Sequence, residues 1–275
     1  MTMTLAIERF PHFWQDLTTR LTYKYFQYRI DTPDDPYRIL FRPTPYKVVF
    51  ILSHMRSGSS LLTHLLVSNP EIIGYGETHL EYTDERDFKA LLFKLYWRFR
   101  DLNMNHTYLL DKVLHDQKFI QSDFLRSDRI RTVFLLREPK RTLASILDIK
   151  PHQNEEQALE YYIHRLSTLE NYAKLINSKE KSLFVTYDQV VNRSSSVFES
   201  LQNHLQTRVG FSEEYKVLKT TGTRGIGDSS ENIKAGRIIK QTRKLDIPIS
   251  DRVLDRARSA FDRCHDTLSD YCQCI

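Results

Sequence analysis

Residues 48–66 read VVFILSHMRSGSSLLTHLL: an apolar run, a short polar turn and a second apolar segment, in direct succession. Val48 to Leu52 is continuously apolar, the pattern of a strand covered on both faces. Arg56-Ser57-Gly58-Ser59-Ser60 supplies the turn, and Leu61, Leu62, Leu65 and Leu66 then fall at helical spacing. A helix opening from such a turn presents unpaired backbone N–H groups at the positive end of its dipole, which makes the segment an anion cradle. Set against G-x-x-x-x-G-K-[ST], Ser53 stands at the first glycine, Gly58 at the second, Ser59 at the lysine and Ser60 at the hydroxyl position. The missing lysine argues against ATP or GTP hydrolysis and leaves phosphate or sulfate binding intact. Arg56 is the nearby cation. The structural alternative is an ordinary strand-turn-helix connection with a small-residue turn.

A second stretch, TVFLLREPKRTLASIL at 132–147, repeats the architecture. Val133 to Leu136 suits a buried strand, Arg137 falls at its C-terminal end, and Pro139 suits the first turn of a new helix, where a missing N–H costs nothing. Ser145 then lies about two turns inside that helix. Together the two stretches resemble the PAPS-dependent sulfotransferases, in motif style closest to the tyrosylprotein and carbohydrate enzymes. The first is similar to their 5′-phosphosulfate loop, the second to their 3′-phosphate signature of strand, arginine, turn and helix with a serine eight residues on. Tyr187-Asp188 looks like the family's Tyr-Glu-Asp strand end with one acidic residue absent.

The resemblance implies a P-loop-type three-layer α/β/α fold, and the rest of the chain agrees. Strands are expected at 72–75, 107–110, 132–136 and 183–186. Helices are expected at about 7–28, 84–100, 118–127, 140–149, 155–177 and 195–206. Strands alternating with helices indicate a parallel sheet covered on both faces. The expected organisation is one domain: an N-terminal helix and linker at 1–46, a nucleotide-binding core at 47–240, and a C-terminal helix with a cysteine-containing tail at 241–275.

Chemistry is expected beyond the C-terminal strand ends, where ligands of open parallel sheets bind. Glu77 follows the Gly74-x-Gly76 turn and looks like the glutamate general base of the tyrosylprotein and some carbohydrate enzymes; His79 is the alternative base. Lys112 follows the strand expected at 107–110 and resembles the lysine of the tyrosylprotein Asp-Lys segment, except that Val113-Leu114 replaces the usual proline context. Structural readings are an ion pair of Glu77 with His79 or another cation, and of Lys112 with Asp111 or Asp116. Lys112 and Arg56 would offset charge on the departing phosphate. The implied donor contacts are Arg56, Ser57, Gly58, Ser59, Ser60 and Leu61 at the sulfate end, and Arg137, Ser145 and Tyr187 at the other. A glycine-punctuated loop from about 220 to 236, loosely similar to the family's closing loop, adds Arg224, Ser229 and Lys234.

Composition narrows the classes. The chain has 275 residues, a net charge of +5 and a pI near 9, suited to anionic ligands. It has no recognised nucleic-acid module, no apolar run near 20 residues and no secretory leader pattern, so a soluble cytoplasmic enzyme without a membrane span is expected. Cys264, Cys272 and Cys274 all lie at the C-terminal end, leaving a tail disulfide possible and a disulfide framework excluded. No metal is expected, since the cysteine and histidine spacings match no standard site. The function so implied is sulfuryl transfer from 3′-phosphoadenosine-5′-phosphosulfate to a hydroxyl or amine of a glycan, a peptide tyrosine or a small molecule. A P-loop kinase or NTPase, or a non-catalytic nucleotide-binding protein on the same fold, is the alternative; oligomeric state is not readable.

Overall fold

Strand β1 (Lys47–Ser53) lies at the centre of a five-stranded sheet with β2 (Ile72–Ile73), β3 (Tyr108–Val113), β4 (Ile130–Leu136) and β5 (Ser182–Thr186), in the order β2-β3-β1-β4-β5 and parallel throughout. The computed structural model describes residues 9–219, 221–222, 231–240 and 245–275, with side chains from residue 16 and without that of Glu231. Alternation along the strands generates the layers. Val48, Phe50 and Leu52 face one core, shared with α3 (Phe88–Phe99), α4 (Pro139–Ile149), α5 (Glu155–Ile176) and α9 (Asp251–Tyr271). Phe26 and Ile30 bring α1 (Arg9–Asp31) onto the same side. Val49 and Ile51 face the other core, shared with α2 (Ser59–Val67), α6 (Tyr187–Asn192) and α7 (Ser194–Leu205). The three-layer α/β/α expectation holds.

Differences from the sequence expectations have local causes. The helix expected at 118–127 is instead two 3-10 turns, Asp116–Lys118 and Asp123–Arg126. Phe119 pairs through its backbone neighbours with Tyr82, whose N–H and C=O bond Lys118 and Ile120, and its ring packs on Phe50 at 5.2 Å. An uninterrupted helix could not make both contacts. Strand β3 runs on to Val113, so Asp111 and Lys112 lie inside it rather than beyond it. Pairing with β1 carries it there, Lys112 opposite Ile51 and Val113 opposite Leu52, while both charged side chains find polar partners. Tyr187 opens α6, capped by Thr186, instead of ending a strand. Within the segment expected as a closing loop, Glu231–Lys234 is a one-turn helix, α8.

The tail closes the sheet edge. Gln273 N–H donates to Ser182 O (2.8 Å) and Gln273 O accepts from Phe184 N–H (2.9 Å), so the chain end covers β5 as a minimal extra strand. All three cysteines are free thiols, Cys264 and Cys272 buried. Among the described residues no helix is long and apolar enough to cross a membrane, and no group of side chains could hold a metal ion.

Candidate functional site

The turn between β1 and α2 has the backbone that its sequence requires. Gly58 caps α2 at φ 91°, and a Cβ there would stand 2.2 Å from the Tyr187 ring, so only glycine fits both the conformation and the space. Arg56, also left-handed at φ 61°, is held from two sides. Its Nε donates to Ser145 Oγ (2.8 Å), and its carbonyl accepts from Arg137 Nη1 (3.1 Å). The two sequence stretches therefore converge on one residue. Ser57 and Ser59 are buried, with Ser59 N–H donating to Ser57 Oγ (3.3 Å), and Leu61 is buried in the helix packing. The first amides of α2 have no acceptor within the helix and face the turn.

Arg137 sits where the sequence places it, at the end of β4. Its guanidinium lies 4.5 Å from the Tyr187 ring centroid, its Nε is buried with no hydrogen-bond partner, and burial draws its pKa below the usual arginine value. An incompletely paired, partly desolvated cation favours an anion beside it. A cavity of 420 Å³ opens next to it at the ends of β4 and β5, with Arg141, Tyr187, Lys240, Phe261 and His265 in its wall.

On the other side of β1 is a second cluster. Lys112 Nζ lies 3.5 Å from Glu77 Oε1 and donates to Ser60 Oγ (3.4 Å), so Glu77, Lys112 and the turn are one constellation. The lysine side chain is 4% exposed and the glutamate 16%, which leaves the carboxylate edge open to a ligand. The cation paired with Glu77 is thus Lys112, while Asp111 and Asp116 have other partners. Asp111 accepts from Thr78 and Tyr82, and Asp116 pairs with Arg165 (2.5 Å). Burial raises the Asp111 pKa against the pull of those hydrogen bonds.

Helix α5 holds the strand ends with three side chains that the sequence reading did not single out. Tyr161 Oη accepts from Met55 N–H (2.8 Å) and donates to Leu114 O (3.0 Å). Tyr162 Oη donates to Arg137 O (3.0 Å). Arg165, fully buried, donates to Ser53 O (2.8 Å), Val113 O (2.7 Å) and Asp116. The available signal was an arginine on the apolar stripe of Ala158, Leu159, Tyr162, Leu166 and Leu169. His54 was likewise missed. Its Nε2 accepts Arg137 N–H (3.2 Å), so Nδ1 carries the proton to Met55 O (2.9 Å), and burial presses its pKa to about 3. His115, past β3, is half-buried; burial lowers its pKa while Glu77 pulls it upward, which places it in the field of the Glu77 and Lys112 cluster.

Other expected contacts are less central. His79 is exposed, on a left-handed backbone (φ 59°), and its carbonyl accepts from Lys118 Nζ (3.4 Å). Lys234 is exposed at the end of α8. Arg224 and Ser229 lie outside the described residues.

No protein-family model and no curated protein sequence matches the chain. Solved structures do. The sulfotransferase domain from the curacin biosynthetic pathway superposes with a TM-score of 0.54 at 17% identity, over 79% of this chain and 98% of that one. Mouse sulfotransferase SULT7A1, solved in complex with PAP, superposes with a TM-score of 0.51 at 11% identity, over 82% of this chain and 89% of that one. The chain has the sulfotransferase fold.

Proposed function

We propose that the protein is a sulfotransferase that moves a sulfuryl group from 3′-phosphoadenosine-5′-phosphosulfate to an acceptor hydroxyl or amine. The observation that carries this reading is the junction of the two anion loops: Arg56 bonds Ser145 while Arg137 bonds the Arg56 carbonyl. One elongated molecule with an anionic group at each end, lying across β1, β4 and β5, would meet both. The complex of SULT7A1 with PAP supports a donor of this class on this fold.

In this reading the turn amides of residues 57–61 and the Ser60 hydroxyl hold the 5′-phosphosulfate. Arg137 and Ser145 take the 3′-phosphate, and the cavity bounded by Tyr187 and Lys240 takes the nucleoside. Glu77 accepts the proton as the acceptor oxygen or nitrogen bonds sulfur, and the bond from sulfur to the bridging phosphate oxygen breaks. Lys112 and Arg56 stabilise the charge that collects on that phosphate. Positioning and electrostatics then supply most of the rate, as in phosphoryl transfer. In this reading donor chemistry falls on the β1, β4 and β5 side and acceptor chemistry on the β2 and β3 side, with Lys112 bonded to both Glu77 and Ser60 between them.

Calorimetric titration separates this from a kinase or NTPase. Tight binding of 3′,5′-ADP and weak binding of ATP with Mg²⁺ is the expected result; the reverse order refutes the donor assignment. Screening glycans, tyrosyl peptides and phenols with radiolabelled donor then identifies the acceptor. With that acceptor, Glu77→Gln is expected to lower kcat by about 10²- to 10⁴-fold and to leave 3′,5′-ADP affinity unchanged.

A further inference from the structure

Lys112 and Asp111 are neighbours in β3 and face opposite layers. Lys112 shares its face with Leu110, Asp111 shares its own with Leu109 and Val113. Asp111 is 2% exposed and its hydrogen-bond donors are neutral: Thr78 N–H (2.9 Å), Thr78 Oγ (2.6 Å), Tyr82 Oη (2.6 Å) and Lys112 N–H (2.8 Å). A carboxylate has about four lone-pair sites, and these four donors fill them. Burying a carboxylate among leucine and valine is costly even when it is fully bonded, so stability alone does not call for it. What the four bonds do achieve is geometric. Thr78 directly follows Glu77, Lys112 carries the ammonium, and Gly76 O also accepts Lys112 N–H (3.3 Å).

Resting on the function proposed above, we infer that Asp111 is the positioning residue of the acceptor-side pair, fixing the 76–78 turn against β3 so that Glu77 stays aimed at the Lys112 ammonium and the reacting centre. It touches neither substrate; it acts through one peptide bond on each partner. Asparagine is a poor substitute: with its Oδ1 on the two backbone N–H groups its NH₂ faces Thr78 Oγ and Tyr82 Oη, so both hydroxyls must turn from donating to accepting and two charge-assisted bonds are lost. A displacement of about 1 Å in a catalytic group can cost about 10²-fold in rate.

The test is a double-mutant cycle on kcat, with the acceptor identified in the screen. Asp111→Asn is expected to lower kcat by about 10- to 100-fold while donor KM and 3′,5′-ADP affinity stay within about twofold of wild type. In a Glu77→Gln background the same change is expected to cost less than about threefold, since a misaimed base that is already absent has nothing left to lose. Losses that multiply, or a fall in 3′,5′-ADP affinity parallel to that in kcat, overturn the inference. Should Asp111→Asn fail to fold, Tyr82→Phe removes a single donor and enters the same cycle. Hydrogen exchange gives a readout independent of turnover: Tyr82→Phe should speed exchange at Thr78 and leave residues 54–62 unchanged, and an unaltered Thr78 rate also overturns it. A wild-type protein without donor turnover would indict the proposed reaction; active wild type with a multiplicative cycle would indict only Asp111.

Discussion

Gly58 concentrates the constraints of the donor side in one residue. A side chain there would meet the Tyr187 ring at 2.2 Å, on a backbone at φ 91° that costs an L-residue about 1–2 kcal/mol. The nearest ring atom is Cδ2, close to the Tyr187 backbone, so the ring cannot simply swing clear. Gly58→Ala is therefore expected to displace Tyr187 from both the turn and the Arg137 guanidinium. Its 3′,5′-ADP affinity should fall by at least about tenfold, the equivalent of about 1.4 kcal/mol. Double replacement with Tyr187→Ala clears the clash and leaves the strained φ, so it should recover part of the stability and none of the affinity. A calorimetric titration of both variants checks this; wild-type affinity in Gly58→Ala would mean that the turn does not hold the anion.

At the scale of elements, α5 acts as a splint across the ends of β1, β3 and β4. Arg165 removes the unpaired carbonyls of Ser53 and Val113 from the list of buried orphans. Arg165→Met keeps much of the volume, strands both carbonyls and leaves Asp116 without its buried cation. A loss of about 2–4 kcal/mol in urea-unfolding stability is expected; a change below about 0.5 kcal/mol would show that solvent satisfies those groups instead. The sequence made α5 visible as a helix because its apolar residues recur at helical spacing, and β1, β4 and β5 visible because both of their faces are buried. It could not show what Arg165 does, since the two strand ends it joins, at Ser53 and Val113, are distant in sequence. The same holds for Asp111: next to Lys112 it reads as an ion-pair partner, and only the alternation of β3 turns it to the opposite layer. Arg56, Gly58, Arg137 and Ser145 were legible because each belongs to a contiguous stretch with its own local geometry. The 3-10 turns at 116–126 were not, because the aromatic packing on Phe50 and Tyr82 overrides local helical periodicity there.

For the whole molecule, the neutral histidines at the seams set how stability responds to acid. His54 links the first loop to the second, packs edge-on against Tyr162 at 5.0 Å, and is faced by the cations Arg137 and Arg165. Burial holds its pKa at about 3, and burial with Arg131 nearby holds that of His204 at about 4. In the unfolded chain both titrate near the ordinary histidine value of about 6.5. Above that pH neither state binds the proton and the histidines contribute no pH dependence. As pH falls below it the unfolded chain takes up protons that the folded chain refuses, so stability declines toward pH 3–4. Each histidine should account for about 2 kcal/mol between pH 6.5 and 5. His54→Gln places a non-titrating side-chain acceptor near the Arg137 amide, and its stability should fall less steeply with acid than that of wild type, by about that amount. Urea unfolding at pH 7, 6 and 5 measures the difference. Parallel curves for the two proteins would mean that His54 takes up its proton in the fold as readily as in the unfolded chain, and its Nε2 would then not be held as the acceptor of the Arg137 amide.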